Sequence, residues 1–254
     1  MSNLKLCVLF LSCVVVSSCT SKKEILYLQN AEELANTEIP YTNSKIQPND
    51  VLRITVGAQN AEATKPYNKA TTGNGAANAS LLQLDGYLVS EDLTLNFPIL
   101  GTLSVADQTT QEFAMYLKNL LEAGNHLKDP TVEVRLLNAK FTVLGEVSGP
   151  GTYSFTEQNI TLVQALGYAG DLTINGIRED VLIMREEGGV RQIAHIDLTT
   201  ADWLNGPYNF VKPNDLIYVK QNGPRVKSAG YIGNLGSLLS VASILFTTIV
   251  LISK

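Results

Sequence analysis

The residues able to do chemistry are few, and their spacing does not suit catalysis. Two carboxylate pairs, Glu179-Asp180 and Glu186-Glu187, flank an apolar run and a Gly188-Gly189 turn. Paired acids hydrolyse a glycosidic bond when they face each other across the sugar. Sequence neighbours on a strand face opposite ways, and turns collect exposed acids in any protein, so both pairs are read as surface charge. The two histidines, His126 and His195, have no His, Cys or carboxylate at metal-ligand spacing. His126 follows an expected helix end, where positive charge suits the helix dipole, and His195 alternates with Ile193 in a β-like run; both read as structural. Neither a glycine-rich phosphate loop followed by Lys and Ser or Thr nor a Gly-x-Ser-x-Gly elbow occurs. The chain is expected to hold or conduct rather than transform, with no catalytic residue, no metal and no cofactor.

All three cysteines, Cys7, Cys13 and Cys19, lie in or beside an apolar leader over 6–16 that Lys5 precedes and Ser17 and Ser18 follow. That layout is a secretory signal peptide. Val16-Ser17-Ser18-Cys19 resembles a bacterial lipobox, which makes Cys19 the expected lipidation site; Cys13 is a second candidate, and an uncleaved anchor is the bland alternative. The rest of the chain has no thiol for a disulfide or a metal. Removing Lys5 from the 19 cations leaves 18 against 24 anions, a net charge of −6, which disfavours nucleic acid as a partner. Thr20, where an Asp would suggest inner-membrane retention, points to the outer membrane.

At the other end, 232–252 carries no charged residue over 21 positions, enough for a bilayer-crossing helix. Gly233, Gly236, Ser240, Ser243 and Thr247 fall on one line at alternating spacings of three and four, and Leu, Ile and Phe cover the remaining surface. Small residues let membrane helices approach closely, and hydroxyls can face a water-filled lumen; the stripe is pore-lining or helix-packing, and both readings need several copies. A monomeric anchor whose hydroxyls bond back to their own backbone is the alternative.

The residues between must position whatever function exists. Ile46-Gln-Pro48-Asn49-Asp50-Val-Leu-Arg-Ile54 recurs as Val211-Lys-Pro213-Asn214-Asp215-Leu-Ile-Tyr-Val219. Each copy reads as a turn leading into a strand, and together they suggest paired small β modules. Thr109 with Glu112, Thr161 with Gln164, and Thr199 with Asp202 announce three helices. Strands are expected over 51–56, 87–90, 93–97, 131–137, 141–147, 152–155, 181–185, 191–197 and 216–220, with Gly149-Pro150-Gly151 turning a central hairpin. The stretch 21–44 reads as a polar linker and 59–80 as a loose loop. The fold class is α+β, short sheets each covered by a helix.

These residues carry a resemblance. The stretch 46–137, with its proline turn, Tyr87 through Gly101, the helix after Thr109 and Asp129-Pro130-Thr-Val-Glu-Val, resembles the polysaccharide export domain of Wza-type outer-membrane lipoproteins. Phe141-Thr-Val-Leu-Gly145 through Tyr153, followed by 162–170, is similar to that family's soluble-ligand-binding β-grasp (SLBB) module. The family usually has Pro-Gly-Asp at the turns where this chain has Pro48-Asn49-Asp50 and Pro213-Asn214-Asp215, and its long members carry two or more β-grasp modules where this chain has room for one.

The resemblance implies a signal peptide over 1–18, a lipidated N-terminus and linker over 19–45, an export domain over 46–138, a β-grasp domain over 139–222 and a transmembrane helix over 229–253. It further implies a homo-oligomeric ring in the outer membrane, soluble domains in the periplasm, capsular or exopolysaccharide as cargo, and an inner-membrane polysaccharide co-polymerase or kinase as partner. The competing readings are a non-conducting lipoprotein that binds glycan or peptidoglycan, and an envelope enzyme using acids near Glu186.

Overall fold

In the computed structural model of the protein the described residues are 22–34, 38, 39, 41, 43–69, 85–228 and 235–252. Cys7, Cys13, Cys19 and Gly233 lie outside them.

The first body grows from strand β1 (Val51–Gly57), where Leu52, Ile54 and Val56 turn inward and Arg53 and Thr55 outward, as strict alternation requires. A short helix, α1 (Ala61–Thr64), follows and runs into a single 3-10 turn, Lys65–Tyr67. The loose loop expected over 59–80 is therefore corrected at its start: the Asn60 side chain accepts from Glu62 N and caps α1, as short polar side chains do. Residues 70–80 of it lie outside the described ones.

Strand β1 pairs antiparallel with β2 (Tyr87–Leu88) and β5 (Thr131–Leu136) in a three-stranded sheet of order β2-β1-β5, beside the hairpin β3 (Thr94–Phe97) and β4 (Gly101–Ser104). Helix α2 (Thr110–Ala123) covers the sheet. Its Thr109 side chain accepts from Glu112 N and Glu112 in turn accepts from Thr109 N, a complete capping box. Phe113, Leu117 and Leu121, four apart on one stripe, are fully buried against Leu52, Ile54 and Val134. Tyr116, on the same helix, is 39% exposed.

The second body is a five-stranded mixed sheet of order β10-β9-β12-β6-β7. Its strands are β6 (Lys140–Gly145), β7 (Gly151–Ser154), β9 (Gly176–Glu187), β10 (Val190–Ile196) and β12 (Leu216–Gln221); β12 runs parallel to β6 and the other pairs are antiparallel. A two-stranded ladder, β8 (Ile160–Thr161) with β11 (Phe210–Val211), closes one flank. Helix α3 (Leu162–Tyr168), with a second complete capping box at Thr161 and Gln164, buries Leu162, Ala165 and Leu166 against Phe141, Val143, Ile183, Ile217 and Val219. Gly145 sits at φ +91, and a Cβ there would lie 2.0 Å from Val219 O, so the close passage of β6 past β12 requires glycine. The β9–β10 hairpin turns on Gly188 and Gly189, both at positive φ.

Two expectations are corrected. Thr199 caps no helix: its hydroxyl donates to Asp197, and the short 3-10 turn Asp202–Asn205 begins after Ala201. The segment 22–34 is no free linker, since Leu28 N and Gln29 N donate to Leu198 O and Thr199 O, Asn30 Oδ1 accepts from Ala201 N, and Leu28 packs on the second core.

The chain continues through α4 (Gly223–Ser228) to α5 (Leu235–Ile252). Among the described residues no helix is long and apolar enough to cross a membrane. Helix α5 has no charged residue but runs 18 residues, about 27 Å at about 1.5 Å each, against a hydrocarbon core of about 30 Å. Residues 229–234 and 253 of the expected span lie outside the described ones.

Candidate functional site

The repeated nine-residue phrase folds twice into the same turn. Asn49 and Asn214 both sit at φ +68, the left-handed region that Asn tolerates and most residues avoid. Asp50 Oδ2 accepts from Gln47 N and Asp215 Oδ2 from Lys212 N, each at 2.8 Å, and both aspartates are buried. Their surroundings then diverge. Asp215 receives a bidentate Arg185, Nη2 to Oδ2 at 2.7 Å and Nε to Oδ1 at 3.0 Å, while Arg185 also donates to Pro207 O and Phe210 O. Burial still raises the Asp215 carboxyl above the ordinary range, the guanidinium offsetting only part of that cost. Asp50 has no such cation among the described residues, and burial pushes it up to about 6 against the pull of Gln47 N.

The two turns face one another at the junction of the bodies, where Gln47, Asp50, Glu186, Glu187, Lys212 and Pro213 line a cleft of about 30 Å³. That holds no more than a water or two. The sequence-adjacent acids are occupied there: Glu186 pairs with Arg191 at 2.5 Å and Glu187 with Lys212 at 2.8 Å. Asp180 contacts His195 Nδ1 at 2.5 Å and the Lys220 ammonium, which together hold its carboxyl below the usual range, Lys220 most. His126 Nδ1 meets the Tyr67 hydroxyl at 3.2 Å. Among the described residues no group of three or more His, Cys, Asp or Glu is placed to hold a metal.

Gly149-Pro150-Gly151 lies between β6 and β7, with Gly149 N donating to Ala169 O and Gly149 O accepting from Tyr153 Oη. The turn thus ties the hairpin to the end of α3. On α5, Ser240 donates to Gly236 O at 2.8 Å and Thr247 to Ser243 O at 2.7 Å, and Thr248 off the stripe does the same to Ile244 O. These i to i−4 bonds satisfy the hydroxyl protons within the helix, leaving oxygen lone pairs on an exposed edge.

One feature escaped sequence reasoning. A cavity of about 180 Å³ opens in the first body, lined by Arg53, Ile54, Thr55, Asn68, Lys69, Asp85, Tyr87 and Leu137. The Tyr87 ring is 5% exposed, with Phe97 at 5.6 Å and the Lys69 ammonium 4.3 Å from its centroid. Its hydroxyl is closed off from water-sized space and has no hydrogen-bond partner among the described residues, and burial raises it to about 12. The outward position of Arg53 in the alternation of β1 was the only available signal; nothing local ties it to Lys69 or Tyr87.

Residues 39–137 match the family model of polysaccharide biosynthesis/export proteins. The chain is 27% identical over 188 residues to the EPS I polysaccharide export outer membrane protein EpsA of Ralstonia nicotianae, covering 71% of this chain and 48% of that one. It is 29% identical over 150 residues to the protein of the same name from Ralstonia solanacearum, covering 57% of this chain and 38% of that one. The chain spans less than half the length of these curated relatives. The matched stretch contains β1, the first of the twin turns, the α2 capping box and the Tyr87 cavity.

Proposed function

We propose that this chain is one subunit of an oligomeric conduit that exports capsular or exopolysaccharide across the outer membrane. The observation that carries the reading is the family match over 39–137 joined to the charge-free C-terminal helix α5. On this reading 46–138 is the export domain, 139–222 a β-grasp module of the SLBB kind, and both stand in the periplasm. Cys19 bears lipid, and the segment 229–253 crosses the membrane beside identical copies. Closing a ring of such helices leaves no backbone group unpaired in lipid, and one subunit encloses nothing, so a cyclic homo-oligomer follows. The edge of Gly233, Gly236, Ser240, Ser243 and Thr247 is where neighbours meet or where the wet lumen runs. The cargo needs a driver, which we assign to an inner-membrane polysaccharide co-polymerase or kinase.

A second reading draws on the hydroxyl bonds of α5: Ser240 and Thr247 already satisfied by their own backbone suit a lone anchor as well as a stave. The protein would then be a non-conducting glycan- or peptidoglycan-binding lipoprotein. Truncation before residue 229 separates the two. A conduit loses surface polysaccharide in the native host while the soluble part stays folded; polysaccharide reaching the surface at wild-type level contradicts the conduit.

A further inference from the structure

The five-stranded sheet buries one face under α3 and leaves the other apolar as well. Val143, Ile183, Ile217 and Val219 turn toward α3 and belong to the second core. Their neighbours along each strand point the opposite way, and the strand registers set those side chains in two rows. Ile193 lies beside Met184 and Met184 beside Leu216; Leu182 lies beside Tyr218 and Tyr218 beside Leu144. A solvated sheet face is ordinarily polar. These six are apolar, and none of them belongs to or packs against either core. Ile193 is 54% exposed and Leu144 42%. Charged side chains stand at the two ends of the rows, Glu186 with Arg191 at one and Asp180 with His195 and Lys220 at the other. An apolar centre inside a polar rim is the anatomy of a protein contact.

The opposite side of the same body is apolar too. Helix α3 spends Leu162, Ala165 and Leu166 on the core and leaves Val163 51% and Tyr168 45% exposed. Between them along the chain sits Gly167, where a Cβ would meet nothing within 4 Å. Glycine weakens a helix, and this chain leaves the space over it open, as close approach by another molecule would use. The two sides differ in charge. The sheet face carries three Lys or Arg cations, Lys140, Arg191 and Lys220, against two carboxylates, Asp180 and Glu186. The stretch 155–175 that builds the α3 side carries Glu157 and Asp171 and no Lys, Arg or His.

We propose that copies of this chain dock front to back through the second body, the outer sheet face of one against the exposed side of α3 in the next. The occupant follows from the pair of patches. A single self-complementary patch makes a closed pair, whereas two different patches on opposite sides of one body make a head-to-tail contact, the kind that closes rings. The cationic rim of the sheet face meets the acidic surroundings of α3, which favours this register in a chain whose formal charge of −5 otherwise repels its copies. The inference rests on the ring reading above and gives it an interface apart from the tail helix. Five strands about 4.8 Å apart, followed from Asp180 to Glu186 at about 3.3 Å per residue, present roughly 400 Å². A stable contact takes about 800 Å² per partner, so this one holds copies together only beside the tail helices.

The chain has no thiol beyond Cys7, Cys13 and Cys19, so engineered cysteines report the contact against the unsubstituted chain as blank. Full-length protein carrying Leu144→Cys and Val163→Cys together, treated in detergent with a short bismaleimide, should give a ladder of linked multimers, and each single variant should give none. Leu144→Arg, which puts a charge at the centre of the contact, should lower the assembled fraction by about tenfold and leave the melting temperature unmoved. Linked dimers from Leu144→Cys alone would show sheet face meeting sheet face and overturn the proposal. So would wild-type assembly in Leu144→Arg. A double variant that assembles by light scattering but gives no ladder overturns this interface and leaves the conduit standing; a protein that stays at one chain mass and gives no ladder overturns both.

Discussion

At the scale of single residues the twin turns show how one local sequence serves two electrostatic settings. Pro48-Asn49-Asp50 and Pro213-Asn214-Asp215 share backbone, left-handed Asn and the 2.8 Å acceptance from a residue three back. Only Asp215 has an arginine, and that arginine, 30 residues away on β9, is invisible in the local pattern. Asp50 therefore governs a pH dependence. Its folded titration lies near 6 against an ordinary 3.8, so between those values the folded state holds more protons than the unfolded one, and stability falls as pH rises through the window. Asp50→Asn keeps an oxygen for Gln47 N and loses the charge. It should be more stable than wild type at pH 7.5 by roughly 1–3 kcal/mol and nearly equal to it near pH 4. Urea denaturation in detergent at the two pH values checks this; a difference independent of pH contradicts it.

At the scale of elements, what local chemistry dictates was legible and what distance dictates was not. The capping boxes at Thr109 and Thr161, the inward face of β1 and the alternation of β12 rest on neighbours within four residues, and each folds as its spacing predicts. Thr109→Ala should cost about 1 kcal/mol through the lost cap, seen as a lower urea midpoint with an unchanged slope; no change would mean that the cap is redundant with packing. The two-residue strands β8 and β11 and the docking of 22–34 on β-sheet loops depend on partners 49 to 171 residues distant, where no periodicity exists to be read. The same blindness hid the cavity formed by Arg53, Lys69 and Tyr87. On α5 the opposite holds: the stripe of small and hydroxylated residues is plain in sequence, and its neighbour is what the single chain does not display. Ser240→Leu with Ser243→Leu should abolish assembly or export and leave the soluble part's melting temperature unmoved. Wild-type surface polysaccharide in that double variant would show that the stripe serves neither packing nor lumen.

At the scale of the whole molecule, two α+β bodies share one junction, the first carrying the export-family match and the second leading through β12 and α4 into the charge-free helix. The N-terminal segment returns to this second body, where Tyr27 donates to Asp171 and lies 5.4 Å from the Arg178 guanidinium. Nearby, Asn222, just past β12, donates to Asn175 O. Tyr27 and Asn222 thus both lie beside the same loop region, 171–178. Everything proposed about conduction depends on copies of this chain closing on themselves. The most direct measurement is the mass of the detergent-solubilised full-length protein by light scattering with the detergent contribution subtracted. The account predicts a single species of several times the 27.5 kDa chain, falling to one chain when 229–254 is removed or the stripe is filled with leucine. A full-length protein that stays at one chain mass contradicts the conduit.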